Sequence, residues 1–149
     1  VKIVSSSMNE TIYKVSVQGF DWKKQKGTNG KGICVQLNDA KTIKINELIE
    51  LPELNFCMLG ESSRNPLVIC EILSSFDFDA SNISSASSLE NNASSQVAGL
   101  PQDYARVKNS FIDGNNKGTV FSVFPVQFLA AENKLRMCTE MLVKVNTPL

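Results

Sequence analysis

Apolar and polar side chains alternate along residues 135–145. Leu135, Met137, Thr139, Met141, Val143 and Val145 take one face, and Arg136, Cys138, Glu140, Leu142 and Lys144 take the other. A period of two marks a β-strand with one buried side. Upstream, residues 120–129 form a second apolar run in which Pro125 predicts an edge, a bend or a bulge. Glu132, Asn133 and Lys134 supply a turn between the two. Residues 118–145 therefore read as one β-hairpin with a proline-marked first strand.

The rest of the chain repeats the theme. After a short strand at residues 1–4, Tyr13, Val15 and Val17 alternate with Ile12, Lys14, Ser16 and Gln18. Residues 19–32 read as a polar connection that holds Trp22 and a turn at Thr28-Asn29-Gly30. Ile33, Val35 and Leu37 alternate again, ahead of a turn at Asn38-Asp39-Ala40. Ile43 and Ile45 predict a short strand running into residues 48–54, a segment that equally fits a helical turn. Residues 67–73 are nearly all apolar and predict a central strand buried on both faces. About six to eight short strands with turns between them and little helix predict an all-β, antiparallel two-sheet β-sandwich. A single domain spanning 1–149 is the expected organisation.

One tract breaks the pattern. Residues 74–98 hold nine serines, three asparagines and four alanines. That composition predicts a long Ser-rich loop over about 74–99, and loops longer than ~15 residues inside a compact domain tend to be functional.

Composition narrows the function classes. A chain of 149 residues, 42% of them apolar, is long enough to bury a real core. Fifteen basic and fifteen acidic side chains cancel, so no net field draws the protein to nucleic acid or anionic lipid. Lys23, Lys24, Lys26 and Lys31 flank Gly27 and Gly30 and read as a solvated hairpin tip. No apolar run approaches the ~20 residues of a membrane span, and the opening residues do not read as a cleavable signal. Three sequons, at Asn9, Asn82 and Asn92, are at chance level in a chain this rich in Ser and Asn.

Histidine is absent. That removes Ser-His and Cys-His nucleophile pairs, imidazole acid–base chemistry and His-based zinc sites. Glu47, Glu50 and Glu53 recur every third residue and read as a solvated face rather than a catalytic cluster. Cys34, Cys57, Cys70 and Cys138 lie far apart with no C-x-x-C knuckle, which argues against zinc. Their apolar neighbours suit small core residues in strands; one or two disulfides are the alternative in an exported protein. No cofactor and no metal are expected, and the chain reads as non-catalytic.

Three stretches carry a resemblance. Pro125-Val126-Gln127-Phe128, then Asn133-Lys134-Leu135-Arg136, then Leu142-Val143-Lys144-Val145 make up the first. Leu51-Pro52 with the hydrophobic run ending at Ser74-Ser75 is the second. The opening strand ending at Gly19-Phe20 is the third. Taken in chain order, they resemble the N-terminal prodomain of gingipain-type cysteine peptidases of Bacteroidetes. The chain departs from that pattern in being shorter between Tyr104 and Val120 and in carrying four cysteines.

The resemblance implies an exported β-sandwich (periplasmic, cell-surface or extracellular) that covers, inhibits and assists the folding of a cysteine peptidase domain, in cis or in trans. Prodomains of this kind place a basic side chain in the enzyme's primary pocket. The corresponding segment, residues 99–118, offers Arg106 and Lys108, expected on a polar loop. The competing expectation is an exported adhesion or glycan-contact module with no peptidase partner.

Overall fold

The computed structural model describes residues 1–24, 32–38, 40–59, 66–79 and 101–146, and the structural statements below concern these residues. In chain order the strands are β1 (Lys2–Ser6), β2 (Glu10–Ser16), β3 (Asp21–Lys24), β4 (Ile33–Gln36), β5 (Lys41–Lys44), β6 (Ile49–Leu59), β7 (Leu67–Asp79), β8 (Ala105–Asp113), β9 (Asn116–Val123), β10 (Val126–Leu129) and β11 (Lys134–Asn146). A 3-10 turn, Ala130–Glu132, joins the last two.

The first sheet is organised around β11. β7 runs antiparallel along its whole length, from Lys134↔Asp79 to Asn146↔Leu67. The opposite side of β11 is shared by two shorter strands, β10 on its first half and β2 on its second, and β1 adds to β2. The second sheet has the order β3-β4-β6-β9-β8, with β5 also on β6. Its β4–β6 pairing is parallel, Ile33↔Ile49 and Cys34↔Glu50, because the chain returns to β6 through β5 instead of a tight turn. The all-β two-sheet sandwich expected from alternation is the observed architecture.

Apolar faces meet between the sheets in two clusters. Ile33, Val35, Ile49 and Leu51 pack on Val126, Phe128, Leu135 and Met137. Phe121 and Val123 pack on Tyr13, Val15, Met141, Val143 and Val145. Phe56 lies between Tyr13 and Phe121, with ring centroids 4.7 and 5.3 Å away. Each such side chain contributes about 1.5–3 kcal/mol by leaving water.

The boundary between the clusters is a β-bulge, where β11 slips against β7 around Cys138 and Glu140. The slip turns Cys138 inward beside Met137 and leaves Thr139 to donate its hydroxyl to the Ser74 carbonyl at 3.2 Å. The two faces read from the sequence hold along β11 except at this bulge.

Several expectations are corrected. Residues 118–145 are not one hairpin: β9 lies in the second sheet and β10 in the first. The chain changes sheets at Phe124-Pro125, where a residue without an N–H leaves no ladder donor unpaired. Here Pro125 accepts a hydrogen bond from the Cys138 N–H at 2.8 Å. Residues 67–73 are not a doubly buried central strand. They open β7, whose one strand partner among the described residues is β11; Val68, Cys70 and Ile72 face the core while Leu67, Ile69 and Leu73 are exposed.

The first residues of the Ser-rich tract, through Asp79, continue β7 as strand; the remainder of that tract lies outside the described residues. Residues 49–54 are extended, not helical, since β4, β5 and β9 all pair with β6. Lys23 and Lys24 lie on β3 instead of a hairpin tip, while Lys26, Lys31 and the Thr28–Gly30 turn are outside the described residues.

All four cysteines are free. Cys34 and Cys138 are buried as small core residues, and burial pushes the Cys138 thiol up to about 11. Cys70 is half-buried and Cys57 is exposed, so the core reading fails at Cys57.

Candidate functional site on strand β8

Arg106 and Lys108 are not on a loop: both sit on β8. Ala105 and Val107 alternate with them and pack toward the core, and that period of two is why this polar-looking segment is a strand. β8 folds back on β9 through Gly114, whose φ of 62° suits a tight hairpin turn. Among the described residues β9 is its sole sheet neighbour. The register slips between Val107↔Phe121 and Asn109↔Val120, which places Lys108 in a bulge.

The two cations are held differently. The Arg106 guanidinium lies 4.9 Å from the centroid of the Phe124 ring, a ring otherwise fully buried. Arg106 is nonetheless exposed, and a cation–π contact does not use up the hydrogen-bond donors of a guanidinium. Beside it Ser122 Oγ donates to Asn55 Oδ1 at 3.0 Å.

Lys108 Nζ instead donates to Glu53 Oε1 at 2.9 Å, and Lys41 Nζ approaches the same oxygen at 3.3 Å. The Glu53 side chain is only 5% exposed. Burial alone would push its carboxyl up. Hydrogen bonds from Lys108, Asn55 and Lys41, with the Lys108 charge, outweigh that and hold it below the ordinary value of 4.5. The expectation of a solvated Glu47, Glu50 and Glu53 face is thus corrected at Glu53. In an extended strand a spacing of three puts Glu50 and Glu53 on opposite faces.

Three contacts fasten the chain where it leads into β8. Gln127 Nε2 donates to the Pro101 carbonyl at 2.7 Å, and the Phe124 N–H donates to the Tyr104 carbonyl at 2.7 Å. Arg136 hydrogen-bonds Tyr104 as well as Asp77, at 3.0 and 3.3 Å to the two carboxylate oxygens. Gln127 is buried and could not be left without such a partner.

The sequence marks Glu53 only as part of a solvated face and Gln127 only as part of the resemblance, and it does not single out Phe124. The one available signal was a lone acid, Glu53, inside the run Leu51-Pro52-Glu53-Leu54. No group of three Cys, Asp or Glu side chains among the described residues is placed to hold a metal ion.

No family model and no curated protein matches the chain. Solved structures do. The complex of Porphyromonas gingivalis RgpB pro- and mature domains aligns with a TM-score of 0.69 and 15% identity, over 99% of this chain and 83% of the matched one. Gingipain K from Porphyromonas gingivalis, solved to explain its zymogenic latency, aligns with a TM-score of 0.72 and 14% identity, over 97% of this chain and 90% of the matched one. The fold is that of a gingipain prodomain. Within this prodomain fold, Gln127 and Arg136, two of the residues that carry the sequence resemblance, secure the approach to β8.

Proposed function

We propose that this chain is a non-catalytic prodomain that covers and restrains a gingipain-like cysteine peptidase, in cis or in trans, and assists its folding after export. The observation that carries the proposal is the likeness to the RgpB pro–mature complex and the gingipain K zymogen across nearly the whole chain. The absence of histidine supports a non-catalytic role.

On this reading Arg106 is the basic side chain offered to the peptidase pocket, and Lys108 braces it. Arg106 keeps a rigid planar fork on an aromatic support, which suits a carboxylate-bearing pocket. Lys108 spends its ammonium on Glu53. Truncating a desolvated charged anchor typically costs about 2–5 kcal/mol of binding.

The test is an inhibition constant for a gingipain-type peptidase against the parent chain, Arg106→Ala, Lys108→Ala and the pair. Arg106→Ala is expected to weaken inhibition at least ~30-fold with an unchanged denaturation midpoint. Lys108→Ala is expected to lower the midpoint and to weaken inhibition less. Three variants that inhibit like the parent would sink the basic-anchor mechanism. A parent that does not bind any gingipain-type peptidase would sink the prodomain function.

A further inference from the structure

A groove of about 700 Å³ opens at the seam between the two core clusters. Local features of three strands create it. β2 ends at Ser16 and the chain swings through Gly19, at φ 77°, into β3. The β11 bulge displaces Thr139 and Glu140 from the ladder, and the far half of β7 carries Phe76 and Phe78 past the opening. Bulges of this kind recur beside binding sites because they re-aim side chains.

Its lining mixes aromatic faces with uncharged hydrogen-bonding groups. Trp22, 56% exposed, and Phe76, 49% exposed, border the opening, and Phe20 meets Phe76 edge-to-face at 6.1 Å. Large aromatics so exposed on the two sides of one groove, Trp22 from β3 and Phe76 from β7, are costly unless something covers them. Ser16 and Gln18 are exposed at the same opening, and Thr139 retains acceptor capacity after donating to Ser74. The one charged lining side chain, Glu140, is paired with Lys14 at 3.8 Å.

We propose that this groove binds a pyranose ring of a neutral glycan. A sugar ring presents weakly positive C–H groups on one face, matching the negative faces of Trp22 and Phe76, and hydroxyls around its rim, matching Gln18, Thr139 and Ser16. An ionic ligand would find no unpaired charge in the lining, and a purely apolar guest would strand the polar rim. The volume falls in the range of small-molecule sites. The inference is independent of the peptidase reading, which inhibition assays test separately.

Trp22 is the only tryptophan in the chain, so its fluorescence reports on the groove directly. Cellotriose, maltotriose, mannotriose and chitotriose are titrated to millimolar levels, with amide NMR shifts followed in parallel. At least one is expected to give a saturable fluorescence change and to shift the Gly19, Ser74 and Thr139 amides. By NMR, Phe76→Ala should weaken that binding about tenfold or more, and Trp22→Ala should abolish it. Gln18→Ala tests the rim, and the distant, exposed Ile112→Ala should bind like the parent.

Denaturation midpoints of all variants are expected to match the parent, since these side chains lie at the surface. No saturable response to any of the four sugars overturns the proposal. So does binding that survives both aromatic substitutions. N-acetyl-leucinamide shifting the same amides when no sugar does would make the groove a seat for a peptide side chain and overturn it equally.

Discussion

β7 and β11 are both thirteen residues long and lie side by side, yet their environments are opposite. β11 has neighbours on both edges, and its inward residues Leu135, Met141 and Val143 are fully buried. β7 has β11 on one edge, and Leu67, Ile69 and Leu73 remain exposed. The more apolar of the two stretches by eye, residues 67–73, became the strand with one neighbour among the described residues. Hydrophobic content tells that a stretch will be extended and partly buried; it does not tell how many neighbours the strand acquires. That depends on which other segments reach it, here β2 and β10 on β11.

The sharpest way to break this contrast is to put the same charge on each strand. Met141→Asp on β11 should cost at least about 4 kcal/mol, because it buries an unpaired carboxylate between the sheets. Ile69→Asp on β7, at a position 48% exposed, should stay within about 0.5 kcal/mol. Equal shifts in a urea titration would mean the two strands are misassigned.

Cavity formation should grade the inner faces. Met141→Ala is expected to cost about 2–5 kcal/mol, and Ile72→Ala, facing the same cluster from the edge strand, about 1–2 kcal/mol. A larger loss at Ile72 would show that β7 is as deeply enclosed as β11.

Acid should loosen the pairing itself. The hydrogen bond from Arg136 holds the Asp77 carboxyl below its ordinary 3.8, against a smaller opposing effect of burial. Its folded value is lowered, so the stability it contributes is present above the ordinary value and is lost as pH falls through the folded one. Glu53 behaves alike from its ordinary 4.5 downward. Asp77→Asn and Glu53→Gln should each flatten the acid limb of the stability–pH curve, and neither should alter its alkaline limb. An acid limb unchanged in both variants would deny these carboxylates that role.

The smallest effect concerns the exposed stripe. Ile69→Lys should leave the denaturation midpoint unchanged within error and reduce self-association in sedimentation at high concentration, since charge guards an open strand edge. A fall of several degrees in Tm would show the stripe to be covered.

Much of the site lay beyond sequence reasoning for the same reason. Arg106 and Lys108 were visible as basic residues in residues 99–118, but not as strand residues. Nothing in the one-dimensional order shows Lys108 meeting Glu53, fifty-five positions earlier. Glu53 looked solvated because it recurs with Glu47 and Glu50 at every third residue, and its partners, Lys41 and Lys108, arrive from β5 and β8. Gln127 belonged to a recognisable motif, yet its task, holding the Pro101 carbonyl, appears only once β10 and the approach to β8 are adjacent.

By itself the sequence determined the class of structure, the faces of β2 and of β11 outside its bulge, and the turn at Asn133. Each follows from local steric period or from turn conformation, neither of which needs a distant partner. The tertiary structure alone decided that the chain changes sheets at Phe124-Pro125, that β7 pairs with β11 alone among the described residues, and that Cys138 turns inward at a bulge. It also decided that Glu53 is buried and that a groove opens at Trp22. These are matters of which segments meet, and the free energy of meeting is shared among side chains far apart in the chain, so no local pattern records it.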